Sequence, residues 1–84
     1  MRMLKDRRFK SSIVIEPRLG RVREVRSLRE AAEALLRDWP GTDLPKRQKA
    51  MASCLSALKG DVQPHRARRD FIEAAREARL LMGD

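Results

Sequence analysis

From Ser27 onward the apolar positions follow a helical rhythm. Leu28, Ala31, Ala32, Leu35, Leu36 and Trp39 recur at spacings of three and four, which lines one face of a helix, while Arg29, Glu30, Glu33, Arg37 and Asp38 take the other side. Ser27-Leu28-Arg29-Glu30 is the pattern of a capping box, in which the serine oxygen accepts from the third helical amide and the glutamate reaches back. Pro40 and Gly41 end the segment. A second helix is predicted from about Lys46 to Lys59, with Ala50, Met51, Cys54, Leu55 and Leu58 on its apolar face and Gly60 as its terminator. A third runs from Pro64, well placed in a first turn, to Met82, burying Ala67, Phe71, Ala74, Ala75, Ala78, Leu81 and Met82.

Ahead of the helices the rhythm shortens. Ser11-Ser12-Ile13-Val14-Ile15 is β-branched and apolar, Pro17 and Gly20 punctuate, and Val22 to Arg26 suits a return strand. The four residues between Glu16 and Arg21 fit a hairpin loop with Gly20 left-handed. Ile13 and Ile15 share one face, and Val25 shares its face with Arg21 and Arg23. A lone hairpin is marginal in water and must pack on something. The expected fold is α+β: a two-stranded antiparallel β-hairpin packed against three α-helices. Residues 1–10, which hold five basic residues against Asp6, form a basic, partly disordered N-terminal segment, and 11–82 form a single small domain.

Composition adds size and sign. A chain of 84 residues buries roughly 60–65% of its unfolded surface, enough for one core. Phe9, Trp39 and Phe71 are its only aromatic residues, so that core is expected to be aliphatic and alanine-rich. The formal net charge is +8, with fifteen arginines and five lysines. Such a surface attracts nucleic acid or anionic membrane through long-range field and counterion release, although a high arginine content also accumulates without any partner. Cys54 is the single cysteine, which excludes an internal disulfide and suits a reducing compartment. The N-terminus lacks the apolar run of a signal peptide, and no segment reaches the ~18 apolar residues of a membrane span, so a cytoplasmic location is expected.

Candidate chemistry is sparse. Trp39 offers a flat surface for a pocket rim, but its position on the apolar face favours a core role. Cys54 and His65 are unique of their kind; a thiolate–imidazole nucleophile also needs an orienting group and an oxyanion donor, and spacing identifies neither. Two Cys/His residues are too few for a zinc site, the acids are dispersed, and no glycine-rich phosphate loop exists. The chain is therefore read as no enzyme, with no cofactor and no metal. What remains is the arginines: Arg18, Arg21, Arg23 and Arg26 on the hairpin, with Arg66 and Arg69 at the start of the third helix, as contacts for an anion or nucleic acid.

The runs "REVRSLREAAEALLRDWP", "AMASCLSALKG" and "ARRDFIEAAREARLLM" together are similar to a short alphaproteobacterial, largely rhizobial, family known as domain of unknown function nine-eight-two. The resemblance covers about residues 9 to 82. It implies a size, a host range and an α+β shape. It brings no functional residues with it. The function expected is that of a small basic interaction or regulatory protein, self-associating as a homodimer through a free hairpin edge or helix packing, with an unknown protein partner. The alternative is a nucleic-acid-associated protein using the arginine-rich hairpin and N-terminus.

Overall fold

The computed structural model describes residues 4–83. Strands β1 (Arg8–Arg18) and β2 (Arg21–Ser27) form an antiparallel hairpin, followed by helices α1 (Leu28–Arg37), α2 (Pro45–Leu58) and α3 (Pro64–Glu77). The fold is α+β, a two-stranded hairpin against three helices. Ile13 pairs with Val25 and Ile15 with Arg23, so the alternation turns Ile13, Ile15 and Val25 into the core and leaves Val22 on the outer face.

The hairpin is longer and its turn tighter than the sequence pattern predicts. Pro17 and Arg18 lie within β1, and only Leu19 and Gly20 separate Arg18 from its register partner Arg21. The register slips between Ile15 and Arg18, an irregularity that accommodates a proline lacking an amide donor. Gly20 has φ +81°, and its N–H donates to Glu16 Oε2 at 2.8 Å, which ties the turn back onto β1.

At the start of α1 the serine acts as expected, donor and acceptor being Glu30 N–H and Ser27 Oγ at 3.3 Å. The glutamate differs: its carboxylate accepts from Arg26 N–H at 2.8 Å, one residue earlier than a capping box requires. Two other segments complete the first turn. Leu28 N–H donates to Arg7 C=O at 3.0 Å, and Arg29 N–H to Asp6 Oδ1 at 2.9 Å. Of the basic N-terminal segment, residues 1–3 lie outside the described residues. The remainder is held by these contacts and by Lys5 N–H on Leu58 C=O at 2.9 Å.

The buried stripe of α1 is Leu28, Ala31, Ala34 and Leu35, so the expected face is rotated: Ala34 is inside and Leu36 is 67% exposed. Contact with both α2 and β2 widens the stripe toward the alanine side, where a methyl allows close approach. In α2, Ala50, Cys54, Ala57 and Leu58 are buried, with Met51 at the margin and Leu55 outside. No side chain of its own caps α2; Glu77, at the far end of α3, accepts from Lys46 N–H at 3.1 Å. Gly60, at φ +87°, closes α2, with Asp61 N–H reaching Ser56 C=O at 2.9 Å and Gly60 N–H reaching Ala57 C=O at 3.0 Å.

Helix α3 ends at Glu77, five residues before the predicted end at Met82. Arg79 takes a left-handed conformation, φ 60°, and Leu80 N–H donates to Ala75 C=O at 2.8 Å. This is the closure used by Gly60, built on an arginine. The chain then runs extended along the outer edge of β1, where Glu16 N–H meets Leu80 C=O at 2.8 Å and Met82 N–H meets Val14 C=O at 3.0 Å. One edge of the hairpin is therefore covered at its centre. Core residues come from every element, from Phe9 through Ile15 and Leu35 to Phe71 and Leu80, and seven alanines are among them. Among the described residues, no helix is long and apolar enough to cross a membrane.

Candidate anion-binding groove

The hairpin tip and the end of α1 enclose a groove of about 570 Å³, lined by Arg18, Arg21, Arg23 and Arg37 together with Pro17, Val22, Asp38, Trp39 and Pro40. Arg23 spans the gap between strand and helix. Its Nη1 lies 2.7 Å from Asp38 Oδ2 and its Nη2 lies 3.3 Å from Glu33 Oε1, two ion pairs that fasten β2 to α1. The side chains of Arg18, Arg21 and Arg37 make no ion pair or hydrogen bond with the described residues. Leu19, at the tip, is 98% exposed, and Val22, in the groove wall, is 59% exposed.

Trp39 serves both the core and the groove. Its ring meets Phe71 edge-on, with centroids 5.4 Å apart and planes at 65°, and it is partly buried against the core. It also lines the groove, and its indole N–H is buried without a hydrogen-bond acceptor. An unmade bond of this kind costs on the order of 1–3 kcal/mol.

Of the six arginines read from the sequence, the fold gathers Arg18, Arg21 and Arg23. Arg26 instead faces Glu24, with Nη2 to Oε1 at 2.9 Å. Arg26 and the Ser12 hydroxyl together surround Glu24, and the Ser12 hydrogen bond and the Arg26 guanidinium hold its carboxyl below the usual range. Arg69 borders a different groove of about 420 Å³, between β1 and α3, with Lys10, His65, Arg68, Glu73 and Arg76. Arg68 is anchored there to Ser11, its Nε on the carbonyl and its Nη2 on the hydroxyl, both at 3.0 Å. Arg66 is exposed on α3 and lines neither groove. Arg37 was not singled out from the sequence; the available signal was a cation two residues before Trp39, at the end of the helix that returns toward the hairpin.

Cys54 and His65 are not assembled. Cys54 is fully buried in the core, whereas His65 is exposed and borders the groove between β1 and α3. Burial, with the neighbouring Asp70 carboxylate adding to it, pushes the Cys54 thiol up to about 12. Asp70 itself is buried and accepts from the Ser53 hydroxyl at 2.5 Å. Among the described residues, no three His, Cys, Asp or Glu side chains converge as a metal site would require.

Fold and groove together define a small basic α+β protein with an arginine-lined surface cleft. Residues 12–82 match the model of the family described as protein of unknown function (DUF982), and the chain belongs to that family. No curated protein and no solved structure matches it.

Proposed function

We propose that this protein is a small non-enzymatic interaction protein whose hairpin-tip groove recognises an anionic partner. One observation carries the reading: Arg18, Arg21 and Arg37, none of them ion-paired among the described residues, line one groove together with the exposed side chain of Val22. Charge supplies attraction and the apolar side chains supply contact area, the combination found at recognition surfaces. The separation of the only thiol from the only imidazole supports a non-enzymatic role, and a lone buried thiol suits a cytoplasmic setting. Self-association as a homodimer belongs to the same reading. Leu81 covers β1 at Ile15, so the edge offered to a second copy is that of β2. Light scattering at high concentration is expected to give twice the chain mass; a monomer would remove the dimer.

The test of recognition is affinity capture with the tagged full chain and with its Arg21→Ala/Arg37→Ala variant, each with and without nuclease. The reading expects a partner retained by the wild type, lost with the variant and indifferent to nuclease. Identical captures by both proteins would contradict it. A nucleic-acid-associated role is the second reading, favoured by the further basic cluster of Lys10, His65, Arg68 and Arg69. It requires binding to mixed DNA or RNA that falls steeply with salt.

A further inference from the structure

We infer that the groove at the hairpin tip is a binding site for a small organic polyphosphate, of the nucleoside di- or triphosphate class. This rests on the reading above that the groove takes an anion, and adds which anion. Arg18 and Arg21 are register partners at the end of the hairpin, so two guanidinium-bearing side chains start from directly opposed positions. Like charges so placed are destabilising unless something lies between them. The carboxylates of this region are already engaged, Glu16 by Gly20 N–H and Asp38 by Arg23. Arg37 adds a third free guanidinium from the last turn of α1.

The number of cations sets the number of phosphates. Arg23 is paired with Asp38 and Glu33, which leaves Arg18, Arg21 and Arg37 as three guanidiniums at the groove without an ion pair. A monophosphate dianion leaves at least one guanidinium unmatched, while a di- or triphosphate chain presents enough oxygens for three planar forks. Volume sets the size. At about 570 Å³ the groove falls within the roughly 300–1,000 Å³ of small-molecule sites. Pro17, Val22, Trp39 and Pro40 give it an apolar wall that suits an organic group attached to the phosphates. Arg23, held by Asp38 and Glu33, fixes the distance between hairpin and helix and so presents the site ready formed.

Trp39 is the only tryptophan in a chain without tyrosine, so its fluorescence reports on the groove directly. The experiment titrates the full chain with inorganic tripolyphosphate, ATP without magnesium, AMP, poly-glutamate and a short oligonucleotide at fixed ionic strength, with calorimetry in parallel. Saturable single-site binding is expected for ATP and tripolyphosphate, about tenfold tighter than for AMP. Arg21→Ala and Arg37→Ala should each weaken it about tenfold, the loss of one charge-assisted contact. Arg66→Ala, outside the groove, should change it less than about twofold on the same scale. Unchanged circular dichroism establishes that each variant is folded. If poly-glutamate or the oligonucleotide binds in an Arg21- and Arg37-dependent way while ATP and tripolyphosphate do not, the polyphosphate assignment is wrong and the anionic groove stands. If no probe binds, or binding ignores both substitutions, both fall.

Discussion

The two ends of α1 are treated in opposite ways. At its N-terminus, the first three amides each have an acceptor, supplied by Arg7, Asp6 and Ser27, and the Glu30 carboxylate is spent on Arg26 N–H. Around its C-terminus, Arg18, Arg21 and Arg37 line a groove and make no ion pair with the described residues. Both ends belong to one helix and one core, so limited packing or poor helix chemistry does not account for the difference. A polar group with a partner within the chain serves folding; a cluster of donors without one is free to serve something outside it.

The comparison can be broken at the satisfied end first. Leu28 is fully buried beneath the first turn, and Leu28→Ala should remove about 3 kcal/mol of stability, read by urea denaturation. Next in size is an alkaline effect of the core. The Cys54 thiol is raised to about 12, so its contribution to stability is complete below the ordinary thiol range and is lost progressively as pH climbs from that range toward 12. The wild type should be about 2 kcal/mol less stable at pH 10 than at pH 7 from this source, taking an unfolded thiol near 8.5. Cys54→Ala should lack that decline, while the arginine variants keep it. Ser27→Ala removes one acceptor and should cost about 1 kcal/mol. Arg79→Gly relieves a left-handed arginine and should add about 1 kcal/mol. The smallest effect on stability belongs to the groove: Arg21→Ala/Arg37→Ala should lie within about 0.5 kcal/mol of the wild type, on the favourable side if cross-strand repulsion is felt.

Much of this architecture was legible in the chain because local chemistry and tertiary packing agree there. Ser27 and Glu30 mark the start of α1, Pro64 falls in the first turn of α3, and Gly20 and Gly60 take the left-handed positions expected of them. Where they disagree, pattern failed. Leu81 and Met82 continue the apolar stripe of α3, yet α3 closes at Ala78 with Arg79 where a glycine would have been the signal. Their apolar character instead serves an extended segment along β1. The spacing from Leu28 places Leu36 on the buried face, whereas α1, packed against both α2 and β2, buries Ala34 and leaves Leu36 exposed. The arginines of the hairpin were visible as a set, but their sorting was not. Which of them meets an acid depends on Asp38 and Glu33, brought to Arg23 by the fold of α1 against β2. The apolar spacing assigns Trp39 to the core, and its ring does meet Phe71 there; its place in the groove wall emerges only once the hairpin tip lies beside it.

The most direct test of the account is urea denaturation of the wild type and an Arg18→Ala/Arg21→Ala/Arg37→Ala variant, each with and without saturating tripolyphosphate. The account predicts equal or greater stability for the variant without the anion, and a gain on adding it, about 2 kcal/mol or more, confined to the wild type. A variant markedly less stable without the anion, or one that gains as much from it as the wild type, would contradict it.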